Sequence, residues 1–198
     1  MRAGIVALLI AASVVILPAQ RGPRTTTLIE CAAPLGSGTK TRRPFCDVLI
    51  GTRPGESVAM QIPAHVGSAT LQFDLHNRFA VPAIAVPSPL TFARHEAVVA
   101  IIRPNGAVLG RAAVAREFRS ITDLFDQIAG GGRTGGVKTV APGAVEAVRL
   151  TIPAGVPTIG IVGQRLRVMT RASDEVFDTP GRPVAIVSNV RIDYRPAP

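Results

Sequence analysis

Along much of this chain apolar and polar residues alternate with a period of two, the spacing of a strand with one buried face. Leu71, Phe73 and Leu75 alternate with Thr70, Gln72 and Asp74. Leu166, Val168 and Thr170 alternate with Arg165, Arg167 and Arg171, and Val190, Ile192 and Tyr194 with Arg191, Asp193 and Arg195. The last two runs predict strands with a wet, arginine-bearing face. Shorter strands are expected over 25–31, 45–50 and 57–62, with Pro54-Gly55 as a turn. Residues 94–102 and 107–116 flank Arg103-Pro104-Asn105-Gly106, the strongest hairpin signal in the sequence.

One stretch breaks the strand rhythm. Ile121, Leu124, Phe125 and Ile128 recur at i, i+3, i+4 and i+7, behind Ser120 as N-cap, with Asp123 three residues on and Gly130 past the end. This predicts one short α-helix near 120–129, lying across an open end or edge of the sheets. The segment 130–136 that follows reads as a loop. A faint echo links Ile62-Pro63-Ala64-His65-Val66 with Ile152-Pro153-Ala154-Gly155-Val156, each preceded by a Pro-Gly turn and a strand. It is expected to be one β-corner used twice. Seventeen Pro and 19 Gly fit many short strands joined by tight turns. The fold class expected is mainly β, an antiparallel, jelly-roll-like β-sandwich in a single domain over 25–198.

The front of the sequence changes where this sandwich is expected to work. Met1-Arg2, an apolar run over 3–17 and Pro18-Ala19-Gln20 have the layout of a secretory signal. The run is shorter than the ~20 residues of a membrane-spanning helix. A signal at 1–19, cut after Ala19, is favoured over a permanent anchor, with 20–24 as a loose tail. No transmembrane segment is expected after cleavage. The location implied is extracytoplasmic, either periplasmic or secreted, which disfavours most nucleotide-dependent intracellular chemistry.

Cys31 and Cys46 are the two cysteines. In an oxidising compartment an isolated pair reads as a disulfide, worth about 3 kcal/mol for a loop this short. A metal pair is the competing reading, without the spacing of a zinc knuckle or further partners nearby. The formal net charge is +9, and of the 22 basic residues all but Lys40 and Lys138 are Arg. A compositional bias toward Arg explains this. So does attraction to an anionic partner: envelope glycan, lipid headgroups or nucleic acid. The charges are scattered apart from Lys40, Arg42 and Arg43 and from Arg165, Arg167 and Arg171, and the latter set could hold such a ligand.

Several fragments approach motifs and fail. In Gly36-Ser37-Gly38-Thr39-Lys40-Thr41 the Gly that a phosphate loop needs before Lys is Thr39, and no helix pattern follows. Gly130, Gly132 and Gly135 follow a helical pattern where a dinucleotide fingerprint requires a strand. His95-Glu96 opens a metalloprotease signature whose second His is replaced by Val99. His65, His76 and His95 lie in separate segments, and no G-x-S-x-G elbow is present. No motif for specific nucleic-acid binding appears. Asp174, Glu175 and Asp178 form the acidic cluster of the chain, a candidate for structural Ca²⁺, and no other cofactor is expected. Asp74 and Glu96 are candidate carboxylates for glycoside hydrolysis, which requires a pair facing across a groove.

The run Val148-Arg149-Leu150-Thr151-Ile152-Pro153-Ala154-Gly155-Val156 and the closing Ala185-Ile186-Val187-Ser188-Asn189-Val190-Arg191-Ile192-Asp193-Tyr194 resemble jelly-roll sandwiches of the galactose-binding-like and carbohydrate-binding-module type. That resemblance implies a sandwich of eight or more strands, with ligands held by loops or a concave face. Such modules stack sugars on Trp or Tyr, whereas this chain has no Trp and only Tyr194, so glycan would be held by hydrogen bonds. The first function expected is a non-catalytic binding or interaction module for envelope glycan or another envelope protein. A structural component pairing through its sheet edges is the second, and a hydrolase without a readable motif the third.

Overall fold

A computed structural model describes residues 24–26, 29–78, 93–117, 124–129, 137–142, 145–170 and 172–198. The expected signal at 1–19 and the loop 130–136 lie outside the described residues, as does the tail except for Arg24, which opens the first strand.

The period-two pattern folds into two antiparallel sheets. The strands are β1 (Arg24–Thr26), β2 (Ile29–Cys31), β3 (Pro34–Gly38), β4 (Pro44–Leu49), β5 (Val58–Gln61), β6 (Ala69–Asn77) and β7 (Ala93–Ile102). They continue as β8 (Val108–Glu117), β9 (Leu124–Ala129), β10 (Val137–Pro142), β11 (Glu146–Ile152), β12 (Thr158–Thr170), β13 (Asp174–Phe177) and β14 (Pro183–Asp193). Sheet A has the order β10-β9-β3-β4-β14-β6-β11, with β1 beside β14. Sheet B has the order β2-β5-β12-β7-β8, with β13 beside β12.

Between the sheets lies the main core. Leu71, Phe73 and Leu75 of β6 face Val99 and Ile101 of β7 and Ile159 and Ile161 of β12, closed by Val187 and Ile192 of β14. Each of these side chains is buried, and burial of this kind contributes roughly 1.5–3 kcal/mol per large apolar residue. Cys31 in sheet B and Cys46 in sheet A form a disulfide with Cα atoms 6.0 Å apart. It clamps the sheets at the margin where the chain passes from β2 to β3 through Ala32 and Ala33.

Local chemistry explains two connections. In the β7–β8 hairpin the Gly106 N–H donates to the Arg103 carbonyl at 2.9 Å with φ at 81°, a left-handed conformation suited to glycine. The Asn105 side chain accepts from the Ala107 N–H. The two echo segments are both inter-sheet corners: Ile62–Val66 leads from β5 in sheet B to β6 in sheet A, and Ile152–Val156 from β11 in sheet A to β12 in sheet B. They lie side by side, because β5 pairs with β12, β6 pairs with β11, and the Ile62 N–H donates to the Pro157 carbonyl at 2.8 Å.

The helix expected near 120–129 is corrected. Leu124–Ala129 is the strand β9, paired with β10 and with Ser37 and Gly38 of β3; Ser120 to Asp123 lie outside the described residues. The period-two pair Asp126 and Ile128 decides the outcome, since both are buried. Ile128 joins Phe45 and Ile186 in a small second core on the outer face of sheet A. Asp126 is held by the loop after β3: its carboxylate accepts from the Lys40 and Thr41 N–H groups at 3.0 Å each and from the Thr41 hydroxyl at 2.6 Å. These tertiary partners outweigh the local helical spacing. β10 pairs with β9 at one end of sheet A and also approaches β6.

Candidate functional site

On β6 the residues that alternate with the core strip, Gln72, Asp74 and His76, point to the outer face of sheet A. His76 and Ser188 occupy its closed part. Both are fully buried, and His76 Nε2 and Ser188 Oγ share a hydrogen bond of 2.8 Å. The imidazole also packs 5.4 Å from the Phe45 ring. Burial pushes its pKa down to about 4, with Arg43 adding to that and Asp74 opposing it, so the ring is neutral at pH 7. A serine with no exposure is not placed to attack a substrate, and this pair locks β14 to β6.

Beyond it the face opens into a cleft of about 310 Å³ over β11, β6 and β14, where Gln72, Asp74, Arg149, Asn189 and Arg191 converge. Strand pairing brings them together: Arg149 lies opposite Gln72, and Arg191 lies opposite Gln72 from the other side. Between Ser188 and Arg191 the register shifts, and Asn189 sits in this bulge with φ at 55°. Asn tolerates that left-handed conformation better than most residues, and a bulge here re-aims its side chain. Asn189 Nδ2 donates to Asp74 Oδ2 at 2.9 Å, and Arg43 pairs with the same oxygen at 3.2 Å. Gln72 donates to Asp193 and accepts from Arg149 Nη2 at 3.3 Å. Arg191 Nε is buried without a hydrogen-bond partner among the described residues.

A larger cleft of about 450 Å³ lies at the end of the sandwich, among Asn77, Arg78, His95, Val168, Arg182 and Val184. Its charged groups are already engaged. Arg78 Nε donates to Asp47 Oδ1 at 2.7 Å, and the Arg182 guanidinium lies 3.8 Å over the Phe177 ring. Asp47 shows the cost of this burial. Desolvation raises its pKa despite the opposing hydrogen bond and charge of Arg78. Burial lowers that of His95.

The residues singled out in the sequence are distributed as follows. Arg165 is exposed on β12, and Arg167 donates to both oxygens of Asp174 at 2.8 and 2.6 Å; Arg171 lies outside the described residues. Asp174 is thereby committed to Arg167, which holds its pKa below the usual range. Glu175 follows it on β13 and so points to the other face of that strand, while Asp178 lies exposed after it. Among the described residues no three His, Cys, Asp or Glu side chains are grouped to hold a metal. Asp74 lies on the outer face of sheet A. Glu96 neighbours the core residue Ala97 on β7 and turns to the outer face of sheet B, so the two share no groove. His65 sits at the corner end, its Nδ1 2.8 Å from the Pro63 carbonyl, far along the fold from His76 and His95.

Gln72, Arg149 and Asn189 were not anticipated as a group. Arg149 carried a readable signal, since it alternates with Val148 and Leu150, which pack on the core. Comparison with protein-family models, with curated proteins and with solved structures finds no match.

Proposed function

We propose that this chain is a non-catalytic extracytoplasmic binding module that holds an envelope polymer on the outer face of sheet A. The observation carrying this reading is the convergence of Gln72, Asp74, Arg149, Asn189 and Arg191 from three adjacent strands around one cleft. Such a row of donors and acceptors suits the hydroxyls of a glycan, held without aromatic stacking. The two-sheet antiparallel architecture is compatible with the resemblance to carbohydrate-binding jelly rolls. The inter-sheet disulfide is compatible with an oxidising compartment. No helix among the described residues is long and apolar enough to cross a membrane.

Affinity electrophoresis of the purified protein through gels containing soluble neutral and acidic polysaccharides tests this. At least one polymer is expected to retard the protein, and the double variant Gln72→Ala/Asn189→Gly to lose most of that retardation while melting near the parent. Glycine at 189 accepts the left-handed backbone conformation and removes the side chain with its amide. Free migration in every gel, or equal retardation of the variant, contradicts the reading.

Assembly through sheet edges is the second reading. The ten-residue β8 favours it, since β8 pairs only with β7 among the described residues. It predicts a concentration-dependent oligomer in solution.

A further inference from the structure

We infer that the outer-face cleft takes a negatively charged group of a polysaccharide, a carboxylate or a phosphate ester, between Arg149 and Arg191. This rests on the binding reading above and adds the ligand's charge to it.

Four observations carry it. Arg191 lines the cleft, and its buried Nε has no acceptor among the described residues. A buried N–H left unmatched is costly, and a guanidinium fork matches planar carboxylate and phosphate oxygens. Arg149 approaches from β11 with one long hydrogen bond, 3.3 Å to Gln72, and is exposed, so its remaining donors face solvent. The nearby carboxylates are committed. Asp74 pairs with Arg43 and accepts from Asn189, Asp193 accepts from Gln72, and among the described residues neither carboxylate forms an ion pair with Arg149 or Arg191. Asn189 and Gln72 supply neutral partners beside the charge, as the hydroxyls flanking an acidic sugar require.

The end cleft lacks this pattern, because Arg78 and Arg182 already have Asp47 and Phe177. Phe73, the one aromatic residue at the outer-face cleft among the described residues, belongs to the main core, so the described residues offer no stacking platform for nucleic-acid bases there.

The test titrates the purified full chain with polygalacturonate, its fully methyl-esterified form, poly(glycerol phosphate) and a single-stranded oligonucleotide. At least one of the two acidic polymers is expected to bind, and whichever binds more tightly distinguishes carboxylate from phosphate. Esterification of polygalacturonate, if that is the one bound, weakens binding about tenfold or more. Arg149→Gln and Arg191→Gln each weaken binding of the acidic polymer to a similar extent, and added salt weakens it further. Arg149 is exposed, so its variant reports on the cleft even where Arg191→Gln disturbs the strand. Equal binding of the free and esterified polymer overturns the anion subsite and leaves a neutral-glycan module standing. Unchanged binding in both Arg variants, tightest binding to the oligonucleotide, or binding of neither acidic polymer overturns it too. The binding reading itself stands as long as a neutral polysaccharide is bound and the Gln72→Ala/Asn189→Gly variant loses that binding.

Discussion

His76 shows how a single side chain carries the electrostatics of the buried face. Its folded-state pKa of about 4 lies below the ordinary 6.5 because burial disfavours the imidazolium. Between those values the unfolded chain binds a proton that the folded chain does not. The stability tied to a neutral His76 is therefore complete above pH 6.5 and falls away as the pH drops toward 4, by about 3 kcal/mol. Among the described residues, Asp74 opposes the shift and Arg43 deepens it. His95, also lowered by burial, acts in the same direction. Asp47, whose pKa is raised, acts in the opposite sense in the carboxylate range. Urea midpoints measured from pH 7 to 4 are expected to fall, and His76→Gln, which can still bond Ser188, to flatten that slope. Identical slopes in the two proteins contradict the assignment.

At the scale of elements, the β9–β10 hairpin depends on the Asp126 latch. Asp126→Ala leaves the Lys40 and Thr41 N–H groups without their acceptor and frees the Thr41 hydroxyl. These bonds to a charged carboxylate are part-buried, and water can take over part of them, so a loss of about 1–3 kcal/mol is expected in denaturant titrations. Gly38→Ala should act in the same direction, since a Cβ there meets the Asp126 carboxylate and the Thr41 hydroxyl. A change below about 0.5 kcal/mol in Asp126→Ala, the range of an ordinary surface substitution, contradicts the latch. The same latch explains why a segment with a helical period forms a strand. Residues 121–128 satisfy a helical period, and no local signal reveals that the loop over 39–41 supplies amides to Asp126 from far along the chain. That loop resembles a phosphate loop because its N–H groups do cradle an anion, here a carboxylate of the protein itself. By contrast, Pro104 and Gly106 fix the β7–β8 hairpin through local backbone preferences, and the disulfide was legible because only Cys31 and Cys46 exist to form it.

For the whole molecule, the two sheets and their core followed from alternation, while the candidate site did not. Gln72, Arg149, Asn189 and Arg191 meet only through the β11–β6–β14 pairing, and the bulge that turns Asn189 has no signature in the residues around it. The arginines that looked most like a ligand set, Arg165 and Arg167, lie on sheet B, where Asp174 engages Arg167. On the proposed reading, polymer binding is therefore expected on sheet A. Hydrogen–deuterium exchange of the full chain, with and without the polysaccharide that retards it most, tests this directly. Protection is expected over 70–74, 147–151 and 189–193 on sheet A. Protection confined to 108–117 at the β8 edge or to 165–170 on sheet B, or none at all, contradicts the account.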